Sequence, residues 1–228
     1  MKNLFTLAIA LVLMPITAPG QNAHTRNLSA FDKIEVKNGI LVQLVKADIE
    51  SAEITAQGTT PDNVLTEVTG GVLTLRLDKT SFSKMKVMVK LFYKEIASIN
   101  GSGRSEISTS GLMKQDSLAI DLESGAKGYL DIDIKFLRSR LTEGALIAAD
   151  GYAVRQEATV ATGATLSVFD VESDEINIKV SSNAKAKIQV ENTLDADVST
   201  GGYLSYKGNP ALKNINTSVG GKVEQYQE

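Results

Sequence analysis

The chain has no cysteine, no tryptophan, one histidine and four prolines in 228 residues. Without Cys there is no disulfide, no thiolate metal site and no cysteine to carry a lipid anchor. The one imidazole, His24, falls in residues 21–30, which read as a flexible lead-in and not as the setting of a catalytic base. With aromatics at 5%, the ring platforms on which sugars pack reduce to a few tyrosines. The formal charge of −3, or −4 once Lys2 is removed with a leader, comes without any Lys/Arg run, so nucleic acid is not an expected partner. No stretch after residue 20 is apolar for long enough to span a bilayer as a helix.

Residues 1–20 have the pattern of a signal peptide: Lys2, an apolar run from Leu4 to Leu13, and Ala18-Pro19-Gly20 ahead of Gln21. The expectation is an exported chain, periplasmic, on the outer surface or secreted, and not a lipoprotein.

A short motif then returns seven times. The copies are Asn100-Gly101-Ser102-Gly103, Glu123-Ser124-Gly125-Ala126, Thr142-Glu143-Gly144-Ala145, Ala161-Thr162-Gly163-Ala164, Ser181-Ser182-Asn183-Ala184, Ser199-Thr200-Gly201-Gly202 and Ser218-Val219-Gly220-Gly221. Their third positions are 23, 19, 19, 20, 18 and 19 residues apart. Between them apolar residues alternate with a period of two, as in Leu118, Ile120, Leu122 and in Leu130, Ile132, Ile134. A unit of this size is too short for two packed helices and suits two or three short strands joined by tight corners. The pattern predicts an all-β parallel β-helix-like solenoid with turns of about 19 residues, corners stacked on corners. Gly and Asn supply positive φ at those corners, and close approach of successive turns there makes Gly144→Val strongly destabilising. No Gly-Lys-Ser/Thr follows Asn100-Gly101-Ser102-Gly103, so a phosphate-cradling loop is not indicated.

Residues 31–98 lack this period and form an irregular N-terminal β region, while residues 99–221 carry the regular repeats of the same single domain. Asn38-Gly39 between apolar runs predicts a hairpin. Further strands are expected at Ile49 to Ala56, Val64 to Val68 and Val72 to Leu77, with a helical turn at Thr60-Pro61 and a tight turn at Gly70-Gly71. Lys84, Lys86, Lys90 and Lys94 alternate with Met85, Val87, Val89 and Leu91, as in a strand whose Lys-bearing face discourages edge pairing. The irregular region is expected to close one end of the solenoid, and polar residues 222–228 the other.

The opening Phe31-Asp32-Lys33-Ile34-Glu35-Val36, the serial Gly corners, and Tyr206-Lys207-Gly208-Asn209-Pro210 ahead of a final Gly-Gly corner resemble the head GIN domain, a family described as autotransporter adhesins. The resemblance covers roughly residues 30–225. It implies a right-handed β-helix-like fold, export, and a role in adhesion or surface binding, and it brings no catalytic residues. Many corners depart from the family pattern in reading Thr/Glu-Gly-Ala, and the Lys90 to Ile96 stretch lacks a proline common before the first corner.

The carboxylate pairs are Asp121 with Glu123, Asp131 with Asp133, and Asp195 with Asp197. On strands each pair projects outward while Leu122, Ile132 and Ala196 point in. The plain expectation is a solvated face whose charges alternate in sign from turn to turn; weak calcium binding and acid–base catalysis are the sharper alternatives. Tyr129, Tyr152, Tyr203 and Tyr206 follow corners. The candidate ligand-binding residues are Asp131, Asp133, Tyr129, Tyr152 and Tyr203; no catalytic set, metal site or cofactor is expected. The leading function is a non-enzymatic binding module whose lateral face meets a glycan, a surface polymer or a cell-surface protein. The alternatives are a carbohydrate-active enzyme on the same scaffold and a structural envelope protein.

Overall fold

The computed structural model describes residues 23–78 and 85–226. The expected signal peptide, Lys84, Gln227 and Glu228 lie outside them. The described chain is nearly all-β, with 66% of it in strands. First come β1 (His24–Asn27), β2 (Lys33–Val36), β3 (Leu41–Lys46), β4 (Ser51–Gln57), β5 (Val64–Thr69), β6 (Val72–Leu77), β7 (Lys86–Tyr93), β8 (Ser98–Gly101) and β9 (Glu106–Thr109). The long β10 (Met113–Leu122), β11 (Lys127–Leu141), β12 (Leu146–Val160) and β13 (Thr165–Val180) follow. The chain ends with β14 (Lys185–Gln189), β15 (Thr193–Val198), β16 (Tyr203–Lys207), β17 (Leu212–Thr217) and β18 (Lys222–Gln225).

From β8 onward the strands stack in parallel as a solenoid of roughly 19 residues per coil, the architecture that the repeat predicts. Each of β11 to β13 wraps two sides of a coil and enters a third. In β13 the buried residues fall into three phases: Leu166 and Val168, then Val171 and Ser173, then Ile176, Ile178 and Val180. Inward residues stack from coil to coil; one column runs Leu75, Val36, Gly101, Leu122, Leu141, Val160, Val180 and Val198. Burial of these columns supplies the main driving force for folding. Inside the stack Gln156 Nε2 donates to Ser173 Oγ at 2.6 Å.

The corners are β-turns in which both central residues are left-handed. Ser124 and Gly125 have φ of 51° and 74°, and Ala126 N–H donates to the Glu123 carbonyl at 3.0 Å. From Gly125 onward the residue ahead of each corner Gly or Asn therefore also carries positive φ, including Glu143, Thr162, Thr200 and Val219. The stacking is direct: Gly125 N–H donates to Glu143 O, and Gly144 N–H to Thr162 O, at 3.0 and 3.1 Å.

Three expectations about the turns need correction. The first corner is centred on Gly103 and Arg104, not on Ser102; Gly101 ends β8 and faces the core against Leu122 and Ile107. Asn38-Gly39 makes a corner and not a hairpin, because β2 and β3 find parallel partners in β8 and β9 in place of each other. A Cβ at Gly144 would meet nothing within 4 Å. Close approach occurs instead at Gly151, with φ of 120°, where a Cβ would lie 2.0 Å from the Ile132 carbonyl oxygen, and at the last two corners, where a Cβ at Gly202 or Gly221 would lie 2.4 or 2.1 Å from the carbonyl oxygen of Val180 or Val198.

The N-terminal region extends two sides of the solenoid with antiparallel strands. β6 stacks on β2 and turns back into β5 through Gly70-Gly71; β7 stacks on β3 and pairs with β4, which pairs with β1. The Lys-bearing strand is thus not an edge: β7 lies between β3 and β4, with Val87, Val89 and Leu91 buried. His24–Asn27, in the supposed lead-in, forms the outer strand β1. Arg26 joins the two resulting edges, donating to the carbonyls of Val64 at 2.5 Å and Pro61 at 2.8 Å and to Thr66 Oγ1 at 3.1 Å. At the far end Lys222–Gln225 stack as β18 on β16 and do not lie across the solenoid. There the core is ended by composition: the inward column Ile176, Leu194 gives way to Lys213, and Val180, Val198 to Thr217.

Candidate functional site

The outward columns of the coils create a groove on the side that follows the corners. Tyr129 stands in register with Ala148 and Ser167, and these small neighbours leave its ring 40% exposed. Two residues further along, Asp131 stacks on Asp150, and Asp150 on Asp170. The last match depends on one extra residue in β13, a register shift after Ala148 that brings Asp170 beside Asp150. Thr109 Oγ1 accepts from Asp131 N–H at 2.9 Å and anchors this strand to the coil before it. Together these residues line a groove of about 310 Å³ that runs across the coils. Stacked strands lie about 4.8 Å apart, so three carboxylates of one sign are held in a row. This overturns the expected alternation of charge in that column. Among the described residues no three acidic or histidine side chains are arranged to hold a metal ion.

The other candidates are placed differently. Asp133 lies past Asp131 on β11 and accepts from Lys114 Nζ at 2.5 Å. Tyr152 is its register partner, positioned by the bend at Gly151 and not by a corner, and its hydroxyl donates to Asp174 at 3.3 Å. Desolvation first, and then the charge of Asp174, hold the Tyr152 hydroxyl above the ordinary tyrosine value. Tyr203 sits beside a late corner, where its hydroxyl donates to Glu224 at 2.7 Å, the main reason its pKa is also raised. Tyr206 is buried and structural. Of the five candidates, then, Tyr129 and Asp131 share the groove, Asp133 and Tyr152 pair on the adjacent stretch, and Tyr203 stands apart. The groove residues not singled out from sequence are Thr109, Asp150, Ser167 and Asp170. The signal for the acids was present, since Asp131, Asp150 and Asp170 repeat at the corner intervals of 19 and 20 residues.

Solved structures share this architecture. A "putative adhesin" from Parabacteroides merdae superposes with a TM-score of 0.73 at 20% identity, covering 92% of this chain and 98% of its own. A "putative adhesin" from Bacteroides fragilis gives 0.74 at 17% identity, covering 91% and 99%. A "putative lipid binding protein" from Parabacteroides distasonis gives 0.67 at 21%, covering 91% and 98%. At these identities the likeness shows the fold alone. No curated protein sequence matches the chain. Residues 30–210 match the family described as "Putative auto-transporter adhesin, head GIN domain", and the chain belongs to that family.

Proposed function

We propose that this protein is an exported, non-enzymatic binding module that takes a glycan chain along the lateral groove. The observation that carries the reading is the placement of an exposed Tyr129 ring beside the Asp131, Asp150 and Asp170 carboxylates in one groove. A pyranose presents an apolar face that packs on an aromatic ring, and its hydroxyls donate well to ionised carboxylates. The coil spacing repeats the carboxylates along the solenoid, so a polymer lying parallel to the axis packs on Tyr129 at one coil and meets an aspartate on each of three. Lyase chemistry of the kind housed by β-helices sets a carboxylate against a Lys or Arg, and among the described residues neither lines this groove; glycoside hydrolysis needs only two carboxylates, so cleavage of a bound polymer is the outcome that separates an enzyme from a binding module.

A glycan panel probed with the purified chain tests the reading. Binding to at least one polysaccharide is expected, weakened about tenfold by Tyr129→Ala and left intact by Tyr203→Ala. No binding across a broad panel, or cleavage of a bound polymer, rules it out.

A further inference from the structure

The coil that holds β2 and β3 lacks a strand on its third side. After β3 the chain leaves the stack, and it re-enters through Lys94-Glu95-Ile96-Ala97 to reach β8. The first half of β10, Met113 to Ser117, therefore has β11 on one edge and no strand on the other; β8 begins to pair only at Ala119. Ala119 N–H donates to the Ala97 carbonyl on that open side at 3.0 Å. The in-out phase of β10 breaks within this stretch, Met113 being buried in one phase and Leu118, Ile120 and Leu122 in the other. Ser117 shares the phase of Ala119, so its main-chain groups face the opening; Lys114 does too, being in register with Asp133, two residues along from Asp131, whose N–H turns to the preceding coil. The Gln115 side chain is what spans it: Nε2 donates to Ile96 O at 2.8 Å and to Ser117 O at 2.5 Å.

Two concavities of about 570 and 430 Å³ adjoin this edge and share Asp32, Lys46 and Glu95. Their lysines are engaged. Lys46 donates to the Lys94 carbonyl and lies over the Tyr93 ring, Lys94 pairs with Glu50 at 3.5 Å, and Lys114 pairs with Asp133. Asp32, Asp48 and Glu95 have no ion-pair partner among the described residues, which leaves the cleft with uncompensated negative charge.

We propose that this cleft takes an extended, basic segment of a partner protein as an added strand. The segment displaces the Gln115 carboxamide, pairs with the main chain of Lys114 and Ser117, and sets Lys or Arg side chains against Asp32 and Glu95. Main-chain pairing supplies register and the carboxylates supply selectivity. The site is separate from the lateral groove and stands or falls independently of it.

A fluorescein-labelled decapeptide of alternating lysine and threonine is the probe, titrated with the full chain by anisotropy, beside the same peptide N-methylated at alternate residues. Saturable binding is expected, weakened about tenfold by N-methylation and similarly by the double variant Asp32→Asn, Glu95→Gln. Tyr129→Ala is expected to leave it unchanged, and circular dichroism reports whether each variant is folded. Absence of binding, equal binding of the N-methylated peptide, or undiminished binding by the folded double variant overturns the proposal. Displacement of the peptide by a glycan also overturns it, by assigning the cleft to carbohydrate.

Discussion

Residues 23–97 and residues 98–226 use the same two-residue left-handed turn for different ends. Gly70-Gly71, with φ of 58° and 79°, reverses β5 into β6 so that Thr69 pairs with Val72. Asn38-Gly39, with φ of 63° and 71°, and every later corner turn the chain through the same dihedrals, yet the flanking strands never pair with each other. The turn does not choose the topology. At a corner the flanking main-chain groups are taken by the neighbouring coils, as when Ser102 N–H donates to Val36 O and Glu106 N–H to Ile40 O. The hairpin has a coil on one side only, because β5 is an edge. A periodic chain thus propagates corners, and an end of the stack is where the same turn closes back on itself.

The largest effect expected from this contrast is at a position that belongs to neither turn. Gly151→Ala drives a Cβ into the carbonyl of the preceding coil, and is expected to cost about 4 kcal/mol or more, measured by urea unfolding. Arg26→Ala, which unlinks the two N-terminal edges, is expected to cost about 2 kcal/mol and to speed proteolysis within residues 23–78 before the coils open. Gly144→Ala tests the corner column alone. With open space around the added methyl, only the left-handed backbone resists, at about 1 kcal/mol, and Gly144→Val adds the stiffness of a β-branched side chain, reaching about 2 kcal/mol. A Gly144→Ala cost as large as that of Gly151→Ala would show the coils to be close at this corner, as they are at Gly202 and Gly221. The smallest effect is spectroscopic: Tyr152 ionises above the ordinary tyrosine value, and Asp174→Asn lowers that pKa only partway, because desolvation is the larger cause. An ultraviolet pH titration of the two proteins reads the difference.

The coils were legible because their two signals are local and repeat: period-two alternation along strands and a Gly or Asn at regular intervals. Residues 31–98 were legible as strands but not as pairings. Asn38-Gly39 carries the signal of a hairpin, and nothing near it in sequence reveals that β8 and β9, some sixty residues on, claim its flanks. The first corner was misplaced by two residues because Gly101 and Gly103 look alike, though one faces the core and the other has positive φ. For the groove, Tyr129 and Asp131 stood out singly, whereas Asp150 and Asp170 join them only when the chain is folded back at the coil interval and the extra residue of β13 is counted.

The most direct test of the lateral-groove reading is chemical-shift mapping of the isotopically labelled chain titrated with the tightest glycan from the panel. The perturbed amides are expected to cluster at Thr109, Tyr129, Asp131, Asp150, Ser167 and Asp170, on four successive coils. Perturbations confined to the Asp32–Gln115 cleft or to the β17–β18 end would contradict it.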